Sequence, residues 1–393
     1  MRITAHRLLD GISDTERTDV VVDFESTVTS VEESPPSGRP AEATGEYTVL
    51  PGLIDAHVHL SLSMERFVWW RNQLSDAYYA YEALRNADAH LSHGVTTVRD
   101  VGGIRDVAIQ FKHAVRRDAV CGPTVLSSGQ WLAVTGGHGS IYAEEAGGAE
   151  GFRSAARNQL HLGADLIKVM ATAGALAEEG KDPYWMQMTE AELQAVGEVT
   201  RSAGVPLAVH AHSDQAIRAA VEAGATSIEH GTWLSDETIE LMVQRGVWLV
   251  PTLAVMNRVA SDGNAAQAEI IARLNEKKMP QLRKAIEAGV RIATGTDAGA
   301  PATAHGLAPY EVQLLHEAGM TPMQAIKAAT SAAGELVTGG TRGSLASGAA
   351  ADLIIVRGNP LTDLHALDEV VCVVKDGVVV KGAIPDVMTV DPT

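Results

Sequence analysis

Pro51-Gly-Leu-Ile-Asp-Ala-His-Val-His-Leu60 is the stretch whose reading decides the fold. Leu53 to Ala56 reads as a short buried strand that delivers His57 and His59 to its end. Residues i and i+2 on a strand point to the same side. The two imidazoles therefore form a two-toothed grip for a divalent metal, neutral histidine being the commonest metal ligand. A lone His-x-His pair also occurs on ordinary surfaces, so its meaning depends on what other strands bring to the same point.

Downstream, one pattern recurs. A helical segment closes on glycine, a short Val/Ile/Leu run follows, and a polar residue or proline ends it. It appears as LSHGVTTVRD, HLGADLIKVM, RSAGVPLAVHAH, VEAGATSIEHG, VQRGVWLVPT and IEAGVRIATGTDAG. The glycines (Gly94, Gly163, Gly204, Gly224, Gly246 and Gly289) suit the left-handed position that ends a helix. The apolar runs have the length and β-branched content of buried parallel strands. With the strand before His57 and with Pro123 to Ser128, the count reaches eight. This alternation predicts an α/β fold, a (β/α)8 TIM barrel. A doubly wound open sheet is the rival, but no glycine-rich phosphate fingerprint follows the first strand.

The chain ends have another texture. RITAHRLLDG and DVVVDF are strand-like, SPPSGRP is a loop, and VVCVVKDGVVVKG is broken by the hairpin dipeptide Asp376-Gly377. The two ends are expected to pair as one small composite β-sandwich, residues 1–49 with 346–393, around a barrel spanning 50–345. Neither end alone has strands enough for an independent sheet.

The 393 residues suit a barrel of about 250–300 residues plus a small second domain. A 46% hydrophobic and 20% charged composition is that of a globular protein. No run of about 18 apolar residues suggests a membrane span, and the N-terminus lacks the pattern of a secretory signal. Cys121 and Cys372 lie far apart, which fits a reducing cytoplasm better than a disulfide framework. The net charge of −18 repels phosphate backbones and anionic lipid, so neither nucleic acid nor membrane is an expected partner.

In such a barrel the reacting groups lie at the C-terminal strand ends. The polar residues ending the runs are His57 and His59 on strand one, Lys168 on strand four, His210 on strand five, His230 on strand six and Asp297 on strand eight. Each singly reads as a satisfied core group or helix cap. Five metal-capable groups ending four strands point together to a metal centre. Lys168 is the odd member, because a charged lysine inside LIKVM suffers a large desolvation penalty. Either a buried carboxylate pairs with it, or its amine has reacted with carbon dioxide to give a carbamate, an anion able to bridge two metals.

Taken in order, PGLIDAHVHL, LIKVMATAG, AVHAH, SIEHG and TGTDAGAP resemble the metal-dependent amidohydrolase superfamily. The chain is most similar to the imidazolonepropionase-related group that includes Xaa-Pro dipeptidases and Arg/Lys carboxypeptidases. The likeness covers nearly the whole chain, since GAAADLIIV also matches the returning sandwich strand. It implies that His57, His59 and Asp297 hold one metal, His210 and His230 a second, and a carboxylated Lys168 with a hydroxide bridges them. It implies further that Asp297 is the catalytic acid–base. Zinc is the default for such ligands, with manganese or iron as alternatives.

For the substrate, the resemblance points to His138, within WLAVTGGHGS after strand three; a mobile surface loop is the other reading. His212 shares the face of His210 nearer the mouth. Carboxypeptidase-like members often carry tyrosine there, and the histidine puts a peptide carboxylate in doubt. His305 is a further pocket candidate, and Tyr184 with Trp185, in GALAEEGKDPYWMQM, reads as an apolar lid or as a packed loop. His90, His93, His113, His161 and His316 sit in helical stretches and read as structural. The expected activity is hydrolysis of a C–N bond in a small molecule, a dipeptide or N-acyl amino acid leading. Aryl amides, phenylureas or carbamates are the first alternative, and a one-metal imidazolonepropionase-like ring hydrolase or deaminase the second. A non-catalytic scaffold is disfavoured because every expected ligand is present. The exposed helices of a barrel offer surfaces for a homo-oligomer.

Overall fold

Short β-branched runs at both chain ends come together in one sheet. The computed structural model describes residues 1–33, 46–63, 74–174, 182–262 and 265–389. From the N-terminus come β1 (Arg2–Leu8), β2 (Arg17–Phe24), β3 (Val28–Glu33) and β4 (Tyr47–Pro51). The barrel strands are β5 (Leu53–Val58), β6 (Val95–Asp100), β7 (Thr124–Ser127), β8 (Leu132–Val134), β9 (Glu144–Ala146), β10 (Ile167–Met170), β11 (Leu207–Ala211), β12 (Ser227–His230), β13 (Trp248–Val250) and β14 (Arg291–Ile292). The C-terminal segment returns as β15 (Leu353–Arg357), β16 (Val370–Lys375) and β17 (Val378–Gly382).

The composite sheet has the order β17-β16-β15-β4-β1-β2-β3, so β4 and β15 are the seam between the two ends. Its far edge turns back on the sheet, with Val28 exchanging backbone hydrogen bonds with Gly348 and Ala349. Alternate residues such as Ile3, Val22, Val49, Ile355 and Val374 fill a core of their own. Asp376 and Gly377 form the predicted hairpin turn at φ 48° and 79°, the two left-handed positions of a type I′ turn.

Parallel strands β5-β6-β7 and β10 to β14 make the eight staves of the barrel predicted from the recurring pattern. The ring closes where Ala56 N donates to the Thr294 carbonyl at 2.9 Å and Asp297 N to the His57 carbonyl at 2.9 Å. On the other side Asp165 N donates to the Ser127 carbonyl at 2.8 Å. Part of the predicted loop after strand three is itself a strand: β8 lies beside β10, pairing Leu132 with Val169. The helix-ending glycines all take positive φ, for example 103° at Gly163 and 95° at Gly224. Helix Glu190–Ala203 shows how local sequence sets both ends. Thr189 and Glu192 form a capping box at its start, and Gly204 ends it in the left-handed conformation. Among the described residues no helix is long and apolar enough to cross a membrane. The predicted loop 34–40 and the 175–181 part of the stretch before Tyr184 lie outside the described residues.

Candidate active site

Parallel register decides which side chains enter the barrel. Lys168 stands beside Ala208, Met170 beside His210, and His210 beside Glu229. Neighbours in parallel register share a face, so Lys168, His210 and Glu229 all point inward, with Lys168 one layer below the other two. The intervening Val169, Val209 and Ile228 point outward into the barrel's main apolar cluster. Regular alternation would then turn His230 outward as well. It does not, because His230 adopts φ 71°, and Asp297 likewise adopts φ 61°. Such left-handed backbone is uncommon for non-glycine residues and gathers at functional sites.

The predicted ligands converge. His59 Nε2 lies 3.0 Å and His57 Nε2 3.5 Å from Asp297 Oδ1. The His230 ring is 5.1 Å from that of His57 and 4.5 Å from that of His210. His57, His230 and Asp297 offer ligand atoms that all lie within 4.8 Å of one another. This trio takes members from both ligand groups implied by the resemblance, so those groups adjoin.

Each histidine is oriented through one nitrogen. His57 Nδ1 meets Glu229 Oε2 at 2.7 Å, His59 Nδ1 the Gly102 carbonyl at 2.7 Å, and His230 Nδ1 the Thr252 hydroxyl at 2.7 Å. His210 is tethered through Nε2 to the Ala173 carbonyl at 3.2 Å. The other nitrogen of each is left for the centre, the arrangement in which outer partners aim metal-binding imidazoles. Burial, then the neighbouring rings, hold His210 and His230 well below the usual imidazole pKa, so both are neutral. Burial pushes the Asp297 carboxyl upward, but His57 and His59 outweigh it and hold the group well below its ordinary range.

Lys168 is fully buried, and its Nζ has no hydrogen-bond partner among the described residues. Burial lowers its pKa to about 8 against the opposing pull of Glu229 and Asp297. An orphaned amine beneath a ring of metal-capable groups fits a bridging carbamate better than a buried lysine–carboxylate pair. The donor set therefore fits a metal centre on its own chemistry.

Sequence reading missed the supports. Glu229 binds Arg99 at 2.8 Å and the Ser227 hydroxyl at 2.6 Å as well as His57. Burial pushes its carboxyl up, yet Arg99 and His57 hold it far below the ordinary range. Asp55 accepts from Thr296 N at 3.0 Å and Thr296 Oγ1 at 2.6 Å, stapling strand one to strand eight beside Asp297. Asp100 ties strand two to the ligand loop through Leu60 N at 2.8 Å. The signal that marked Lys168, a charge inside an apolar run, also marks Glu229 in SIEHG and Arg99 in VTTVRD.

Of the substrate-side candidates, His138 and His212 both adjoin the predicted ligands, each ring 4.7 Å from that of His210. Gly174 makes room for His138: a Cβ there would overlap the His138 ring. His212 is buried, stacked on His230 at 5.1 Å, and tied through Nδ1 to the Thr232 hydroxyl at 2.7 Å. His305 has both nitrogens engaged, Nε2 with the Leu62 carbonyl at 2.9 Å and Nδ1 with His90 at 3.0 Å. His90, read as structural, is thus its buried partner. Tyr184 packs at 5.8 Å against Trp233, which follows His230, and Trp185 is 55% exposed.

The family model described as Amidohydrolase family matches residues 48–380. Ochratoxinase of Aspergillus niger is 32% identical over 382 residues, covering 88% of this chain and 78% of that protein. Its crystal structure superposes with a TM-score of 0.86 at 27% identity, covering 97% and 95% of the two chains. A Xaa-Pro dipeptidase with methionine bound in its active site gives a TM-score of 0.87 at 31% identity, covering 97% of this chain and 99% of that one. Imidazolonepropionase of Salinispora arenicola is 23% identical over 344 residues, covering 82% of this chain and 80% of that protein.

Proposed function

This chain belongs to the amidohydrolase family, and on that footing we propose that it is a binuclear metal-dependent hydrolase of an amide bond in a small molecule. A dipeptide or N-acyl amino acid is the leading substrate class. The observation that carries the binuclear reading is the unpartnered Nζ of Lys168, buried one layer below His210.

His57, His59 and Asp297 would hold one ion, His210 and His230 the other, and Lys168 would bridge as a carbamate. Carboxylation forms an N–C bond between the neutral amine and carbon dioxide and releases one proton. The lowered pKa of about 8 raises the fraction of amine in that neutral form. When bound, divalent ions, zinc by default, acidify water and polarise the scissile carbonyl. The remaining work belongs to the chain. Asp297, held ionised beside His57 and His59, takes the proton of the attacking water and returns it to the departing nitrogen, as base and then acid. Glu229 and Thr252 keep the His57 and His230 rings from rotating. His138 contacts the substrate from beside His210.

The aromatic pair Tyr184 and Trp233 favours a second reading in which the substrate is an aryl amide. The chemistry is the same.

Metal analysis tests the centre, and a panel of amides tests the substrate. About two ions per chain, falling together with activity in Lys168→Ala, is expected. One tightly bound ion that is indifferent to Lys168→Ala would overturn the binuclear reading. Amine release from dipeptides and N-acyl amino acids, but not from carboxylate-free aryl amides, supports the first substrate class; the reverse preference supports the second.

A further inference from the structure

Only nine of the 31 basic residues are lysines, and among the described residues three of these are buried: Lys112, Lys168 and Lys278. Lys112 is satisfied, donating at 2.7 Å to both the Gly163 carbonyl and Asp165. Lys168 belongs to the metal centre. Lys278, in helix Ala265–Glu287, is 1% exposed and otherwise unexplained.

Among the described residues its Nζ makes one hydrogen bond, to the Pro251 carbonyl, and no ion pair within 4.0 Å. An ammonium carries three donors, so two are buried and unspent, an expensive state for a charge. Glu311, the acid that pulls on it most strongly, is not within 4.0 Å and does not complete it. Glu311 has one oxygen on Leu253 N at 2.8 Å and the other on Ala254 N at 2.6 Å, at the start of helix Leu253–Asp262.

Position adds to this. Pro251 follows β13, and the next residue, Thr252, holds His230. Its contact with the Pro251 carbonyl puts the amine at the C-terminal end of strand seven, the mouth side of the barrel, one residue from the group that holds His230. Arg99 is committed to Glu229. Adjacent Lys277 is exposed and stands over the Tyr184 and Trp233 rings, at 5.0 and 4.9 Å.

We propose that Lys278 anchors an anionic group of the substrate, the free carboxylate of a dipeptide or N-acyl amino acid, beside the scissile amide. Two unspent N–H donors match two carboxylate oxygens, and an anion placed there would offset the burial that holds the Lys278 pKa below its usual range. The inference rests on the amide-hydrolase reading and selects the carboxylate-bearing substrate class within it.

The test uses N-benzoyl-L-phenylalanine and N-benzoylphenethylamine, which differ only in the carboxylate, on metal-replete full-length protein. Binding is followed by calorimetry and turnover by amine release. The parent should prefer the acid at least tenfold, through KM. In Lys278→Met that preference should collapse by a factor of ten or more, and in Lys278→Arg it should largely persist. Lys278→Gln separates anchoring from support of the Pro251 loop, since glutamine still donates to that carbonyl. It should behave like the Met variant. An equal loss on both compounds in Lys278→Met, restored by Lys278→Gln, would mean a supporting role and overturn the anchor. So would a parent protein with no preference for the acid, or one that binds neither compound. Tight binding of the acid without hydrolysis of either compound would instead retire the hydrolase reading while leaving the anchor in place.

Discussion

The composite sheet and the barrel mouth handle buried polarity in opposite ways. In the sheet, Asp10, Thr48 and Asp352 are buried and each is met. Asp10 accepts from Ile12 N and Ser13 N, Thr48 donates to the Gly358 carbonyl, and Asp352 pairs with Arg342 and accepts from Asp376 N. In the barrel, among the described residues, Lys168 Nζ has no hydrogen-bond partner and Lys278 Nζ has one carbonyl. Left-handed backbone occurs in both regions, at Asp19 and Asp376 in the sheet and at His230, Thr252 and Asp297, all at strand ends, with φ of 71°, 51° and 61° in the barrel. A folding chain retains unpaired buried charge and strained backbone only where something else compensates them. Under the function proposed above, the compensation would be an ion, a carbamate or a substrate.

The largest effect expected from breaking this division is at Asp297. Asp297→Asn should keep the fold and lower kcat by about 10²–10⁴, the usual worth of a positioned acid–base. Steady-state kinetics with a circular-dichroism control measures it, and turnover near the parental level would remove Asp297 from proton transfer.

The two regions should also diverge in stability. Asp352→Ala strands part of the Arg342 charge and should destabilise the protein by about 3 kcal/mol. Lys168→Met, in metal-stripped protein, removes an amine with nothing to lose and should leave stability at or above the parent's. Paired chemical-denaturation curves decide this. If Lys168→Met costs as much as Asp352→Ala, Lys168 has a structural partner after all.

A smaller effect is expected one step out from the ligands. Glu229→Gln keeps the shape but weakens the hold on His57 and leaves Arg99 without its anion. Metal affinity should fall about 10–100-fold, read by competition with a chelator. Unchanged affinity would make Glu229 a barrel-core residue only.

How legible each feature was depends on how local its cause is. The eight staves could be read because every helix–glycine–apolar run carries its own signal. The convergence of His57, His59, His210, His230 and Asp297 could be anticipated because each is a polar residue ending such a run. Lys168 stood out for its apolar neighbours. Lys278 did not: in Glu-Lys-Lys-Met-Pro it reads as a solvated helix face, and only packing against strand seven buries it. Glu229 and His57 are 172 residues apart, Asp55 and Thr296 are 241 apart, and His90 meets His305 across 215 residues. No spacing rule joins such pairs.

By itself, the sequence determined the architecture, the order of the strands and the identity of the groups at their ends. Those follow from neighbour-to-neighbour preferences: apolar periodicity, helix-ending glycines and β-branched runs. Tertiary structure alone decided which nitrogen of each imidazole is spent, and that His230 and Asp297 turn inward through left-handed backbone. It also decided that one of two adjacent lysines is buried at the mouth while the other lies over the Tyr184–Trp233 rim. These outcomes depend on which distant surfaces meet when the barrel closes, because burial and hydrogen-bond pairing act across space and not along the chain.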